Sequence, residues 1–381
     1  MFKSVQTSKK NALIISSHIV ECKRTGGFHK ILEFLIRAKY QVDWVTTPMH
    51  IGWLLKNNDR ENVNNFFKLW RGYSTKSNVF NFALPLFLPG KLSKLLKLSK
   101  TALKAPSWDK VRKRLHSGYD VIVIEAVGLQ YISDIRRSYP DAKVIYRPSD
   151  IAKSLTHDNN SDELEINMIE MSDITLCVDE NQLNYYETIG ASVEKINIFR
   201  NPLSSIDDIS FLENYLPKRI EKKSVVYVGV SFFDKDLVEI AASDNKDAEF
   251  IIIGPFDYKS HDNIRYVGSL KKNEFEKYLL SANVGIAPIK QSELDVKYGY
   301  TGKIISYMKY LLPIVATNSS NYLGVEGFIT CKNDSKEFSN NVRKCLDMSI
   351  EERLSLRDGY LSILKKFEYK HCMKEFYTFL D

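Results

Sequence analysis

Residues 282–317, ANVGIAPIKQSELDVKYGYTGKIISYMKYLLPIVAT, decide the fold. They open on an apolar run, Ala282 to Pro288, and close on another, Pro313 to Thr317. Between the two lie a polar loop and a helical pattern from Lys303 to Tyr310. Short apolar runs without polar alternation are strands buried on both faces, which requires a parallel sheet covered by helices. The same grammar continues in both directions. Upstream, Ser224–Val230, Ala248–Gly254 and Arg265–Gly268 read as strands of the same sheet.

The first half repeats the pattern. Asn11–Ser17 is a buried strand that leads through Gly26-Gly27 into an amphipathic helix, Phe28–Lys39. Gln41–Thr46, Val121–Glu125, Lys143–Arg147, Ile174–Val178 and Lys195–Phe199 follow as strands. The polar stretch Asn201–Lys223, with Pro202 and Pro217, separates the halves. The expected organisation is an α/β chain with two doubly wound, Rossmann-like domains, 1–200 and 224–349, and a linker at 201–223. Helices at 350–381 are expected to pack back across a cleft between the domains. Ligands of such sheets meet the carboxyl ends of the strands.

Composition sets bounds. With 381 residues, 44% hydrophobic and 27% charged, the chain is globular and long enough for two cores. No apolar run reaches the roughly 18 residues of a membrane span, and no signal-peptide core precedes the first strand, so a cytoplasmic location is expected. Five scattered cysteines form no CxxC pair and fit a reducing compartment better than a disulfide framework or a zinc site.

The net charge of +7 is unevenly placed. Between Gly90 and Leu115 lie nine basic residues, among them Lys91, Lys94, Lys97 and Lys100, against the single acid Asp109. Leucines interleave them at roughly helical spacing, and the apolar stretch Val79–Leu88, with Phe82, Leu86 and Phe87, comes just before. A basic amphipathic helix beside an apolar stretch suits an anionic membrane surface, so 79–115 is expected to be an interfacial segment. A surface helix packing its leucines inward is the alternative. No nucleic-acid-binding motif accompanies the charge, and no nucleic-acid partner is expected.

Candidate chemistry sits at strand ends. Thr301 and Gly302 open the helix that carries Lys303, and bare N–H groups beside a lysine suit a diphosphate. An ordinary helix cap with a solvated lysine is the alternative. Gly229, after the first strand of the second half, lies where backbone must approach a nucleotide. Asp150 follows Lys143–Arg147 and could take a proton from an attacking hydroxyl; a capping or loop Asp is the alternative. Glu125 could do the same or bind acceptor hydroxyls, and His18 could face the same site; a structural role is the alternative for each. Asp234-Lys235-Asp236 matches the DxD of metal-dependent sugar transferases, but it begins a helix and reads better as a cap. There is no GxGxxG, no Walker A and no His/Cys cluster with metal spacing; no metal or cofactor is expected.

With these pieces placed, the chain resembles the GT-B glycosyltransferases, specifically the GumK-like glucuronosyltransferases of glycosyltransferase family 70. The resemblance rests on Leu13–His18, Val121–Glu125, Tyr146–Asp150, Val228–Asp234, Gly285–Pro288 and Lys303–Tyr307, in order along the chain. It implies an inverting, metal-independent transfer from a UDP-sugar to a polyprenyl-diphosphate-linked oligosaccharide, by a protein held at the inner face of the plasma membrane. It carries the catalytic base onto Asp150 and a donor-phosphate contact onto Lys303. Ser231, Ser269 and Ser306 fall on uridine- or ribose-side positions, where the family has Met, Glu and Gln; Gly302 replaces a Met. The reaction class is therefore carried further than glucuronic acid as donor. A UDP-sugar 2-epimerase of the same fold and a non-enzymatic membrane scaffold are the competing expectations.

Overall fold

A computed structural model of the chain describes residues 10–21, 26–50, 67–75, 77, 79–86, 107–156, 160–204, 209–217, 222–229, 232–290 and 297–381. The chain divides into two compact units. One comprises 1–178, 182–202 and 372–381; the other comprises 179–181 and 203–371.

In the first unit the strands are β1 (Asn11–Ser16), β2 (Gln41–His50), β3 (Tyr73–Ser74), β4 (Phe80–Leu86), β5 (Val121–Ile124), β6 (Lys143–Tyr146), β7 (Ile174–Cys177) and β8 (Ile196–Ile198). They form one sheet in the order β3-β4-β2-β1-β5-β6-β7-β8. Every neighbouring pair is parallel except the antiparallel β3–β4. The helices are α1 (Gly27–Arg37), α2 (Trp108–Arg112), α3 (Ile132–Ser138), α4 (Ala152–Thr156), α5 (Ser161–Met171) and α6 (Glu180–Thr188). Helix α1 turns Phe28, Ile31, Leu32, Phe34 and Leu35 inward. At its start His29 accepts from the Gly26 N–H through Nδ1 at 3.0 Å, and its Nε2 lies 2.9 Å from the Ile19 carbonyl. That pairing requires the neutral ring protonated on Nε2, and burial pushes the His29 pKa down accordingly.

Strand β4 corrects the interfacial reading for Phe82. It pairs in parallel with β2, Val45 opposite Phe82. Phe82 is fully buried in the first unit's core with Leu13, Val45 and Ile122, so it is no membrane anchor. The Arg114 guanidinium lies 4.2 Å from the centroid of the Phe82 ring. Trp108 and Val111, at the end of the expected interfacial segment, are core residues as well. The side chain of Leu86 and residues Phe87, Lys91, Lys94, Lys97 and Lys100 lie outside the described residues.

In the second unit the strands are β9 (Ser224–Val228), β10 (Glu249–Ile253), β11 (Ile264–Gly268), β12 (Val284–Ala287), β13 (Ile314–Thr317) and β14 (Phe328–Cys331). Their order is β11-β10-β9-β12-β13-β14, all parallel. This is the doubly wound 3-2-1-4-5-6 arrangement. The helices are α7 (Phe211–Asn214), α8 (Lys235–Asp244), α9 (Lys272–Leu280), α10 (Gly302–Met308), α11 (Ser335–Leu346), α12 (Ile350–Ser355), α13 (Arg357–Lys365) and α14 (Tyr369–Thr378). Period-two alternation sends successive strand residues to opposite faces. Val226, Ile251, Ile253 and Ala316 meet α10 and α13 on one face. Val225, Phe250, Ile252 and Val315 meet α8 and α11 on the other. Beyond His371 the end of α14 belongs to the first unit, where the Phe376 ring packs against Phe34 and Phe199 at 5.7 Å from each. Among the described residues no helix is long and apolar enough to cross a membrane.

Candidate active site

In the first sheet, β1 and β5 are neighbours whose connections leave in opposite directions, β1 toward β2 and β5 toward β6. The strand ends at that switch point leave an open crevice. Here the structure brings together His18, Glu125 and Asp150, which lie far apart in sequence. Glu125 is buried. Its Oε2 accepts from Ser16 Oγ at 2.7 Å, the Ser17 N–H at 2.7 Å and Ser17 Oγ at 3.0 Å. Its Oε1 lies 3.7 Å from His18 Nε2. The backbone of His18 is held too, its carbonyl accepting from Trp44 Nε1 and Thr46 Oγ1, both at 2.9 Å. Gly128 lets the turn after Glu125 close down, since a Cβ there would sit 2.6 Å from Ile124.

Asp150 is open to solvent, yet enough protein surrounds it that burial is the main influence pushing its carboxyl pKa up. The Glu125 charge pushes the same way, while His18 and Arg147 pull it back. A carboxylate accessible to substrate, with raised proton affinity, has the properties of a general base. Its loop is firmly held. Buried Arg147 donates to the Pro148 carbonyl at 2.7 Å, the Leu176 carbonyl at 3.2 Å and Asn201 Oδ1 at 2.8 Å. On the other side, fully buried Glu165 of α5 accepts at Oε1 from Tyr146 OH at 2.7 Å and Tyr186 OH at 2.6 Å. Its Oε2 accepts the Ala152 N–H at 3.0 Å. Burial pushes the Glu165 carboxyl up to about 7, against the pull of those donors. Sequence reading missed Arg147 and Glu165; in the acidic run Ser161–Met171, Glu165 looks like one more surface acid.

In the second unit β9 and β12 flank the corresponding switch point. Gly229 follows β9, and a Cβ on it would come within 2.3 Å of the Tyr227 hydroxyl. Lys303, in the first turn of α10, directs Nζ over the Tyr227 ring at 5.2 Å from its centroid. Tyr307 locks α10 to the strand ends: its hydroxyl accepts from the Val228 N–H at 2.9 Å and donates to the Ile286 carbonyl at 3.0 Å. Its ring fills the space a Cβ on Gly285 would need.

Thr301 stands at the N-cap of α10 but makes no side-chain cap bond. Its Oγ1 and that of Ser319 are buried without a hydrogen-bond partner among the described residues, which disfavours the ordinary-cap reading. Gly302 has open space where a Cβ would project. Ser306 donates to the Gly302 carbonyl at 2.8 Å. Ser269 is exposed just past β11, and Ser231 lies outside the described residues. Beside α10, half-exposed Phe232 adopts a left-handed φ of 57° and packs against Tyr298 at 5.8 Å, a pair sequence reading did not single out. Asp234 caps α8, its Oδ1 accepting the Leu237 N–H at 3.2 Å and its Oδ2 accepting from Asn333 at 3.2 Å. The DxD match is thus a helix cap.

Two doubly wound units, each with polar residues at its strand switch point, make up a GT-B fold. The fold is shared with HepE of Anabaena, solved with UDP and glucose, at TM-score 0.65 and 12% identity over 97% of this chain and 98% of that one. Sucrose-phosphate synthase of Thermosynechococcus elongatus superposes at TM-score 0.66 and 12% identity, covering 97% and 98% of the two chains. The α,α-trehalose 6-phosphate synthase of Burkholderia multivorans does so at 0.63 and 10%, with the same coverage. No curated protein matches the sequence. Residues 14–178 match the family model of the N-terminal domain of glucuronosyltransferase GumK, and residues 223–348 match that of the group 1 glycosyl transferases. The chain is a GumK-like glycosyltransferase.

Proposed function

We propose that this enzyme transfers a sugar, with inversion and without a metal, from a UDP-sugar to a polyprenyl-diphosphate-linked oligosaccharide during surface-polysaccharide assembly. The convergence of His18, Glu125 and Asp150 at the first unit's switch point carries the reading. Asp150 takes the proton of an acceptor hydroxyl as its oxygen attacks the donor's anomeric carbon. The bond from that carbon to the diphosphate breaks, and UDP departs with the electron pair. Lys303 and the start of α10 meet the charge that develops on the diphosphate. Gly229, Ser269 and Ser306 contact the nucleotide, with Ser231 assigned to the same side by the resemblance alone, while His18 and Glu125 bind acceptor hydroxyls. The capping role of Asp234 supports a transfer in which no DxD-bound metal takes part. The basic segment around Lys91–Lys100 supports docking on the anionic inner face of the plasma membrane, where a lipid-linked acceptor resides.

The test is transfer by the purified protein from a panel of UDP-sugars, UDP-glucuronic acid first, to a polyprenyl-diphosphate-linked oligosaccharide, with and without EDTA. Transfer unaffected by EDTA is expected. Asp150→Asn should lower turnover by about 10²–10⁴ with UDP affinity unchanged. Epimerised UDP-sugar without transfer would make the enzyme an epimerase. Failure to bind any UDP-sugar would leave the scaffold reading.

A further inference from the structure

We propose that Glu165 is a positioning residue for the Asp150 loop, acting through Tyr146 and the Ala152 backbone. The inference rests on the reading of Asp150 as the base. Tyr146 is the last residue of β6, and Ala152 begins α4; Asp150 lies between them. One buried carboxylate grips both ends of that loop, Oε1 taking the Tyr146 hydroxyl at 2.7 Å and Oε2 the Ala152 N–H at 3.0 Å. Tyr186 of α6 adds a third donor at 2.6 Å, so the grip is braced from a separate element.

In its ionised form the Glu165 carboxylate accepts three such donors at once. A primary amide in its place has a single acceptor oxygen and an NH2 that cannot accept, so one end of the loop is released. Burial makes the arrangement deliberate in a physical sense: a fully buried acid is costly unless its partners are in place. No other role at this position uses the charge, since Glu165 has no exposed surface through which to touch substrate.

Glu165→Gln, Tyr146→Phe and Asp162→Asn test it in the full-length enzyme. Asp162 joins the same two helices through Lys153 Nζ at 2.6 Å and accepts from Tyr185 OH at 2.6 Å. A base displaced by a fraction of an ångström to an ångström loses about ten- to a hundredfold in rate. Glu165→Gln should therefore lower kcat by about that factor, with donor KM unchanged. The acid limb of its kcat/KM profile should move toward the ordinary carboxylate range as Asp150 becomes better solvated. Tyr146→Phe should do the same to a smaller extent, and decides the matter if Glu165→Gln does not fold. Asp162→Asn should stay within about twofold of wild type. Unchanged kcat or an unmoved acid limb in the first two variants would overturn the proposal. So would losses in all three that simply track their thermal unfolding midpoints. Asp150→Asn in the same assay separates the two readings. Retained turnover there refutes the base itself, whereas loss there beside a normal Glu165→Gln refutes only the positioning role.

Discussion

Removing the Tyr307 hydroxyl should destabilise the second unit and weaken nucleotide binding through one identifiable contact. The hydroxyl accepts from Val228 N–H at 2.9 Å and donates to the Ile286 carbonyl at 3.0 Å, with the side chain fully buried. Tyr307→Phe keeps the ring that packs beside Gly285. It leaves the Val228 N–H without a partner, at about 1–3 kcal/mol, and removes the bond to Ile286, at about 0.5–1.5 kcal/mol. The expected loss is about 1.5–4.5 kcal/mol. For a unit of this size that lowers the unfolding midpoint by roughly 5–15 °C. Because Lys303 rides on the same helix, UDP binding measured by calorimetry should weaken as well, whereas the first unit should unfold as in wild type. Differential scanning calorimetry of wild type and variant is the measurement. A midpoint within about 2 °C of wild type would show that water or a shifted backbone replaces the hydroxyl, and that Tyr307 does not hold α10 in place.

The other predictions concern the chemistry and the membrane. If Lys303 holds the donor diphosphate as proposed, Lys303→Ala removes an ionic hydrogen bond of about 1.5–3 kcal/mol and should weaken UDP binding about ten- to a hundredfold in titration calorimetry. As the proposed base, Asp150 must be ionised, and its pKa is raised, so kcat/KM should fall with decreasing pH at a higher pH than an ordinary aspartate would give. Glu125→Gln removes a charge that contributes to this elevation and should move that acid limb to lower pH; an upward shift would contradict the arrangement. Replacing Lys91, Lys94, Lys97 and Lys100 with Gln should release the protein from anionic vesicles in co-sedimentation, leaving UDP binding intact. Phe82→Ala should instead cost about 3–5 kcal/mol of stability, as a core residue does.

Much of the architecture was legible in order of residues alone. Runs such as Leu13-Ile14-Ile15 and Ile251-Ile252-Ile253 have no polar alternation, and only a sheet covered on both faces can hide them. Switch-point logic then places His18, Glu125, Asp150 and Gly229 at strand ends from the residues alone. The sequence misdirected at β4, where Pro85 and the nearby lysines suggested a surface stretch. Phe82 is core because β2 supplies its pairing partner and Arg114 covers its ring, and both are long-range contacts. Likewise Thr301 reads as a helix cap from its type and position, yet whether its hydroxyl caps depends on side-chain geometry. Glu165 shows the limit most clearly. Local sequence gives it the surroundings of a solvated acid. Only the meeting of β6, α4, α5 and α6 surrounds it with two tyrosine hydroxyls and a backbone N–H, because desolvation and hydrogen bonding are properties of three-dimensional neighbours rather than of chain neighbours.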